Sequence, residues 1–156
     1  MSEALRLPPR IKVLEALGSL ADGRMEVIND KEARVVSSDG SRTYMVYVDV
    51  GRREVDSTDN GTVYRGYVGY PIIAVLMHKG LLPRDPELEG KLKGLPWKKL
   101  NEEYKNYAKV MEVIFRERGI DEMKANKYID LVLGQLRRMR LKRVHKYEVA
   151  GGESEE

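Results

Sequence analysis

Four carboxylates, Asp49, Glu54, Asp56 and Asp59, stand within eleven residues of one another, and such a group on neighbouring strand ends is the raw material of a magnesium-dependent nuclease. Strand alternation puts Asp49 on the side opposite Val48 and Val50. Asp56 and Asp59 flank a turn, where aspartates commonly bond their own backbone. The metal reading therefore ranks last. His78 and His145 are the two histidines. The first falls in the last turn of an apolar helix, where the dipole favours it, and the second belongs to a basic run. Gly61, Gly66 and Gly69 lack the lysine and helix context of a phosphate-cradling loop. No cysteine is present, so neither a thiolate nucleophile nor a thiolate metal site is available. The expectation is a non-enzymatic protein that needs no cofactor.

Binding chemistry has better material. Residues 137–146, RRMRLKRVHK, contain six Lys or Arg: Arg137, Arg138, Arg140, Lys142, Arg143 and Lys146. Helical spacing would set Arg137, Arg140 and Arg143 along one side with Arg138 and Lys142 beside them, a strip suited to DNA or RNA phosphates. A second surface is the hairpin rim of Arg52, Arg53 and Arg65 with Tyr64 and Tyr67, whose rings would stack on unpaired bases if exposed. Tyrosines on alternate strand positions more commonly half-cover a core.

These groups need elements to hold them. The 156 residues suffice for one packed domain or a small domain with a helical extension; 42% are apolar and 34% charged. The lack of cysteine, the single glutamine and the abundance of Lys, Arg and Glu match an intracellular protein of a hot environment. No apolar run reaches the roughly 20 residues that cross a bilayer, so a cytoplasmic protein with no membrane partner is expected. The whole-chain charge of +3 conceals an asymmetry, because residues 97–147 carry fourteen basic and seven acidic side chains.

The periodicities predict an α+β fold: a small antiparallel sheet with a helix on either side of it in sequence, then a C-terminal helical hairpin. Ile11, Val13, Leu14, Leu17 and Leu20 mark the first helix. Short strands follow on either side of Asn29-Asp30-Lys31, Asp39-Gly40 is a turn, and Tyr44–Val50 is the clearest strand. Residues 62–68 read as extended. Pro71 opens a helix that stops at Gly80. The division is 1–80 for the α+β domain, 81–96 for a Pro/Gly-rich linker, 97–147 for a basic helical hairpin and 148–156 for a disordered acidic tail. In the hairpin, Trp97, Leu100, Tyr104, Tyr107, Met111 and Ile114 form one stripe ending at Gly119, and Asp121 caps a second helix through about Arg140.

The order strand, turn, strand, carboxylate-rich turn, loop, then the helix Ile72-Ile73-Ala74-Val75-Leu76 resembles the SWIM zinc-finger family across residues 33–79. The resemblance places Val55 and Ser57 at the family's first ligand pair and Gly69 and Pro71 at its second, residues that cannot bind zinc as thiolate or imidazole. It implies a metal-free relative in which the four close around a dry apolar centre. It further implies DNA processing or recombination, with a RecA-type recombinase paralogue or other protein as partner. The alternative is a protein-interaction or oligomerisation module without nucleic-acid contact, self-associating through the 97–118 helix.

Overall fold

A computed structural model describes residues 2–148. Its sheet has six strands: β1 (Glu3–Ala4), β2 (Met25–Val27), β3 (Glu32–Val36), β4 (Thr43–Asp49), β5 (Glu54–Ser57) and β6 (Lys142–Arg143), ordered β1-β6-β5-β4-β3-β2. From β2 to β5 the chain forms an antiparallel meander, as the turn signals require. Then β6, from the far end of the sequence, lies parallel to β5 and antiparallel to β1. The architecture is α+β.

Helix α1 (Ile11–Ala21) is buried from Ile11 through Ser19, so it runs through the middle of the molecule. Helix α2 (Tyr70–His78) places Pro71 in its first turn and buries every residue from Tyr70 to Met77. It covers the inner sheet face, where Ala33, Val35, Tyr44, Val46, Val48 and Val55 point. Tyr44 meets Tyr70 edge to face, ring centroids 6.2 Å apart.

Several local expectations change. Residues 62–68 are not a strand: Gly61–Arg65 form a π-helical turn closed by Gly66 in the left-handed region. The cause is Asp59, whose carboxylate accepts the Thr62 N–H at 3.2 Å and the Thr62 hydroxyl at 2.9 Å and so winds the chain up. The segment 81–96 contains helix α3 (Pro86–Lys91), started by Asp85 accepting the Leu88 N–H with Pro86 in the first turn.

The stripe from Trp97 to Arg118 is carried by two helices, α4 (Trp97–Tyr104) and α5 (Tyr107–Glu117). Between them Lys105 adopts φ 53° and Asn106 caps Lys109. Helix α6 (Glu122–Met139) begins under Asp121 and ends at a left-handed Arg140, both as its sequence indicates. The run 137–146 is therefore helix only to Met139. Arg137, Arg140 and Arg143 do not share one helical side, because Lys142 and Arg143 join the sheet.

After β6 the chain turns over the outer face of the sheet. Lys146 Nζ sits 4.7 Å above the Tyr47 ring, and the Tyr147 hydroxyl donates to Glu32 at 2.8 Å. Residues 143–147 thus form a strap across β5, β4 and β3. Beyond Glu148, the acidic tail expected at 148–156 lies outside the described residues.

Candidate functional site

The four clustered acids do not converge. Asp49 accepts the Arg52 N–H and lies 3.5 Å from Lys31 Nζ; the turn bond, with the nearby cations, holds its pKa below the usual carboxylate value. Asp56 is buried and serves the strap. Arg143 Nε donates to it at 2.9 Å, and the backbone N–H groups of Lys146 and Tyr147 donate at 2.8 and 3.2 Å. Among the described residues no three His, Cys, Asp or Glu side chains come together where a metal could sit. His78 is exposed at the end of α2, and His145 Nε2 is 2.8 Å from Glu3.

Val55, Ser57, Gly69 and Pro71 are all buried, but beside Ser57 and Gly69 stands the Asp59 carboxylate, not a dry apolar centre. The Asp59 N–H donates to Ser57 Oγ at 3.4 Å. Thr62 Oγ1, which bonds the carboxylate, also accepts the Gly69 N–H at 3.2 Å. A Cβ added to Gly69 would overlap the Asp59 carboxylate, so glycine is what admits it. Val55 lies on the inner sheet face, paired with Val48, and Pro71 in the first turn of α2.

Burial raises the Asp59 pKa above the ordinary carboxylate value, opposed by the Ser57 and Thr62 hydrogen bonds and the charge of Lys12. An acid whose folded pKa is raised binds its proton more tightly folded than unfolded. Its contribution is therefore complete below the unfolded pKa of 3.8 and lost as pH climbs through the folded value. Denaturant midpoints are expected to fall over that window in the parent protein, and Asp59→Asn to flatten the fall. An equally steep slope in Asp59→Asn would assign it to other groups.

A second buried network is centred on α1. Lys12 Nζ lies 3.2 Å from both Glu15 oxygens on α1, with the Tyr107 ring 5.0 Å from it. Asn101 Nδ2 donates to Glu15 at 3.4 Å. Burial alone would lower the Lys12 pKa. The Glu15 carboxylate and the neighbouring tyrosines outweigh it and the net direction is up, so Lys12 stays a cation and is no proton acceptor at neutral pH. The spacing of Lys12 and Glu15, three apart on an otherwise apolar helix, was the only sequence signal of this pair.

The cations are sorted by the sheet. Arg143 is buried on Asp56, and Lys146 is spent on Tyr47. Tyr64 is exposed on the π-helical turn beside Arg65, whose carbonyl accepts from Arg6, while Tyr67 is half-buried and bridges Arg6. Arg52 and Arg53 stand at the β4–β5 turn, apart from that group, so the hairpin rim is not one platform.

What does come together is a corner. The β5–β6 pairing sets Glu54 opposite Lys142, and the Lys142 N–H donates to the Arg53 carbonyl at 2.8 Å. The Arg52-Arg53 turn therefore meets the end of α6 with Arg137, Arg138 and Arg140. All six side chains are exposed and, among the described residues, none is within ion-pair distance of a carboxylate, Glu54 included. Arg53 is held at φ 57° and Arg140 at φ 49°. Arg53 and Arg138 flank an apolar cleft of about 160 Å³.

A family model described as uncharacterised conserved protein UCP014422 matches residues 5–142. No curated protein and no solved structure matches the chain. The resemblance to SWIM zinc fingers is thereby overturned. The match that spans nearly the whole chain is to another family, and the described residues hold no metal-binding group. The pattern across 33–79 misled because strand, turn and capped apolar helix arise from ordinary burial, with Asp59 in place of a metal site.

Proposed function

The chain belongs to the uncharacterised conserved protein family UCP014422, and on that premise we propose that it is a non-enzymatic module that holds a nucleic-acid backbone on the basic corner. The observation that carries this reading is the gathering of Arg52, Arg53, Arg137, Arg138, Arg140 and Lys142 at the β5–β6 junction, none of them within ion-pair distance of a carboxylate among the described residues. Exposed cations on strand and helix ends keep their charge available to phosphate oxygens, and releasing the counterions of the nucleic acid supplies the free energy. Arginine dominates the set, and its planar guanidinium matches phosphate in two-pronged fashion.

Self-association through 97–118 has less support. Val110, Met111, Ile114 and Phe115 are each at most 9% exposed, covered by the chain itself. No helix among the described residues is long and apolar enough to cross a membrane.

A variant with Arg53→Ala, Arg138→Ala and Arg140→Ala is expected to bind oligonucleotides of any sequence more weakly. Its plot of log affinity against log salt should be shallower by roughly two to three, near one for each phosphate contact removed. Fluorescence anisotropy across a salt series measures both. Affinity and slope identical to the parent's would remove the corner from the interface.

A further inference from the structure

The cleft at the basic corner has an unusual lining for a charged surface. Val48, Leu76 and Leu141 form its floor, each at most 6% exposed; Met139 is half-buried at the side, and Val50 stands at the mouth, 45% exposed. Arg53 and Arg138 flank it, and among the described residues no acidic side chain lines it. Its volume of about 160 Å³ suits a single flat ring system or one side chain, not a helix or a strand.

An occupant must bring apolar surface to the floor and negative charge to the rim. A peptide with an acidic flank would do so, but its backbone N–H and C=O groups also need partners. None is offered here. Among the described residues strand β4 lies between β3 and β5, β5 between β4 and β6, and β6 between β5 and β1, so none of these three strands is an edge of the sheet. A nucleotide chain has no such backbone requirement. Its base presents a flat face to aliphatic side chains and its phosphates present charge to guanidinium groups. Bases within a duplex are stacked and cannot enter without being flipped out, which costs a few kcal/mol.

We propose that this cleft receives one unpaired base of a single-stranded nucleic acid, with the adjoining phosphates on Arg53, Arg138 and the cations beside them. The proposal rests on the backbone-binding reading above and adds the class of ligand. With no hydrogen-bonding side chain on the floor, base edges are not read, and bases differ only by the area of the face they bury.

The test compares three oligomers of about twelve residues by fluorescence anisotropy on the full chain at one salt concentration. They are single-stranded oligothymidylate, an oligomer of abasic sites with the same phosphates, and a blunt duplex. The expected result is roughly tenfold tighter binding of the oligothymidylate than of the abasic strand, the effect of burying about 55 Å² of apolar base surface on the aliphatic floor. The duplex should also bind more weakly than the single strand. Val50→Gln, which places a polar amide at the exposed mouth, should narrow the gap between thymidylate and abasic strands, with an unchanged thermal midpoint showing that it folds.

Equal affinities for thymidylate and abasic strands would overturn the base cleft while leaving the backbone reading intact, as would a preference for duplex. Failure of all three oligomers to bind would sink the backbone reading and the cleft with it. Capture of an acidic, leucine-bearing peptide in their place would identify the other occupant.

Discussion

Replacing Asp56 with alanine is expected to cost about 3–5 kcal/mol of folding free energy, the loss usual when one member of a buried ion pair is removed and the other is left uncompensated. Asp56 is fully buried. Its oxygens accept from Arg143 Nε and from the backbone N–H groups of Lys146 and Tyr147, so a single side chain satisfies three donors on the returning strap. Without it the Arg143 guanidinium, 10% exposed, has lost its carboxylate in a region that excludes water. Water would reach the site only by lifting the strap from Tyr47 and Glu32.

The thermal midpoint should drop on the order of 10 °C. Arg143→Ala should cost less, since the two backbone donors still satisfy the carboxylate. A limited protease should cut the Asp56→Ala chain near residues 143–148 before the core opens. A loss below about 1 kcal/mol, or equal losses in the two variants, would mean that the strap is held by other contacts.

Trp97→Ala is expected to cost a similar 3–5 kcal/mol, by a different route. The indole is wholly buried at the start of α4 and presses on Gly18 of α1, so closely that a Cβ there would meet the ring. Its Nε1–H has no hydrogen-bond partner among the described residues, so the loss is one of packing and leaves no orphaned acceptor behind. The void would lie between the central helix and the C-terminal helices. Because Trp97 is the only tryptophan, the transition must be followed by circular dichroism. A midpoint within a degree or two of the parent's would show that the region collapses around the void.

The elements that local chemistry specifies were legible. Asp39-Gly40 turns the chain between β3 and β4, Pro71 and Gly80 bracket α2, and Asp121 starts α6. Elements decided by distant partners were not. The stripe Tyr104, Tyr107, Met111 keeps its three-and-four stepping straight through the break at Lys105, so periodicity cannot reveal that two helices carry it. Asp56 has the surroundings of a turn aspartate, yet its partners lie 87 to 91 residues away.

The same holds for the basic run. Nothing in RRMRLKRVHK says that the helix ends at Met139, that Arg143 turns inward and that Lys146 stacks on Tyr47. Composition located the charge correctly in the last third of the chain. Only the β5–β6 pairing selects which cations remain outside and brings Arg52 and Arg53 to join them.

The position of β6 also constrains how the molecule is assembled. Among the described residues β1, made from residues 3 and 4, bonds to no strand except β6, which holds residues 142 and 143. During synthesis residues 3 and 4 therefore lack their strand partner until residues 142 and 143 have emerged. The meander and α1 can condense early, but the sheet can close only once its last strand slots between the waiting first strand and β5. Such long-range closure is slow to form. It also makes completion of the sheet depend on the last of its strands to be synthesised.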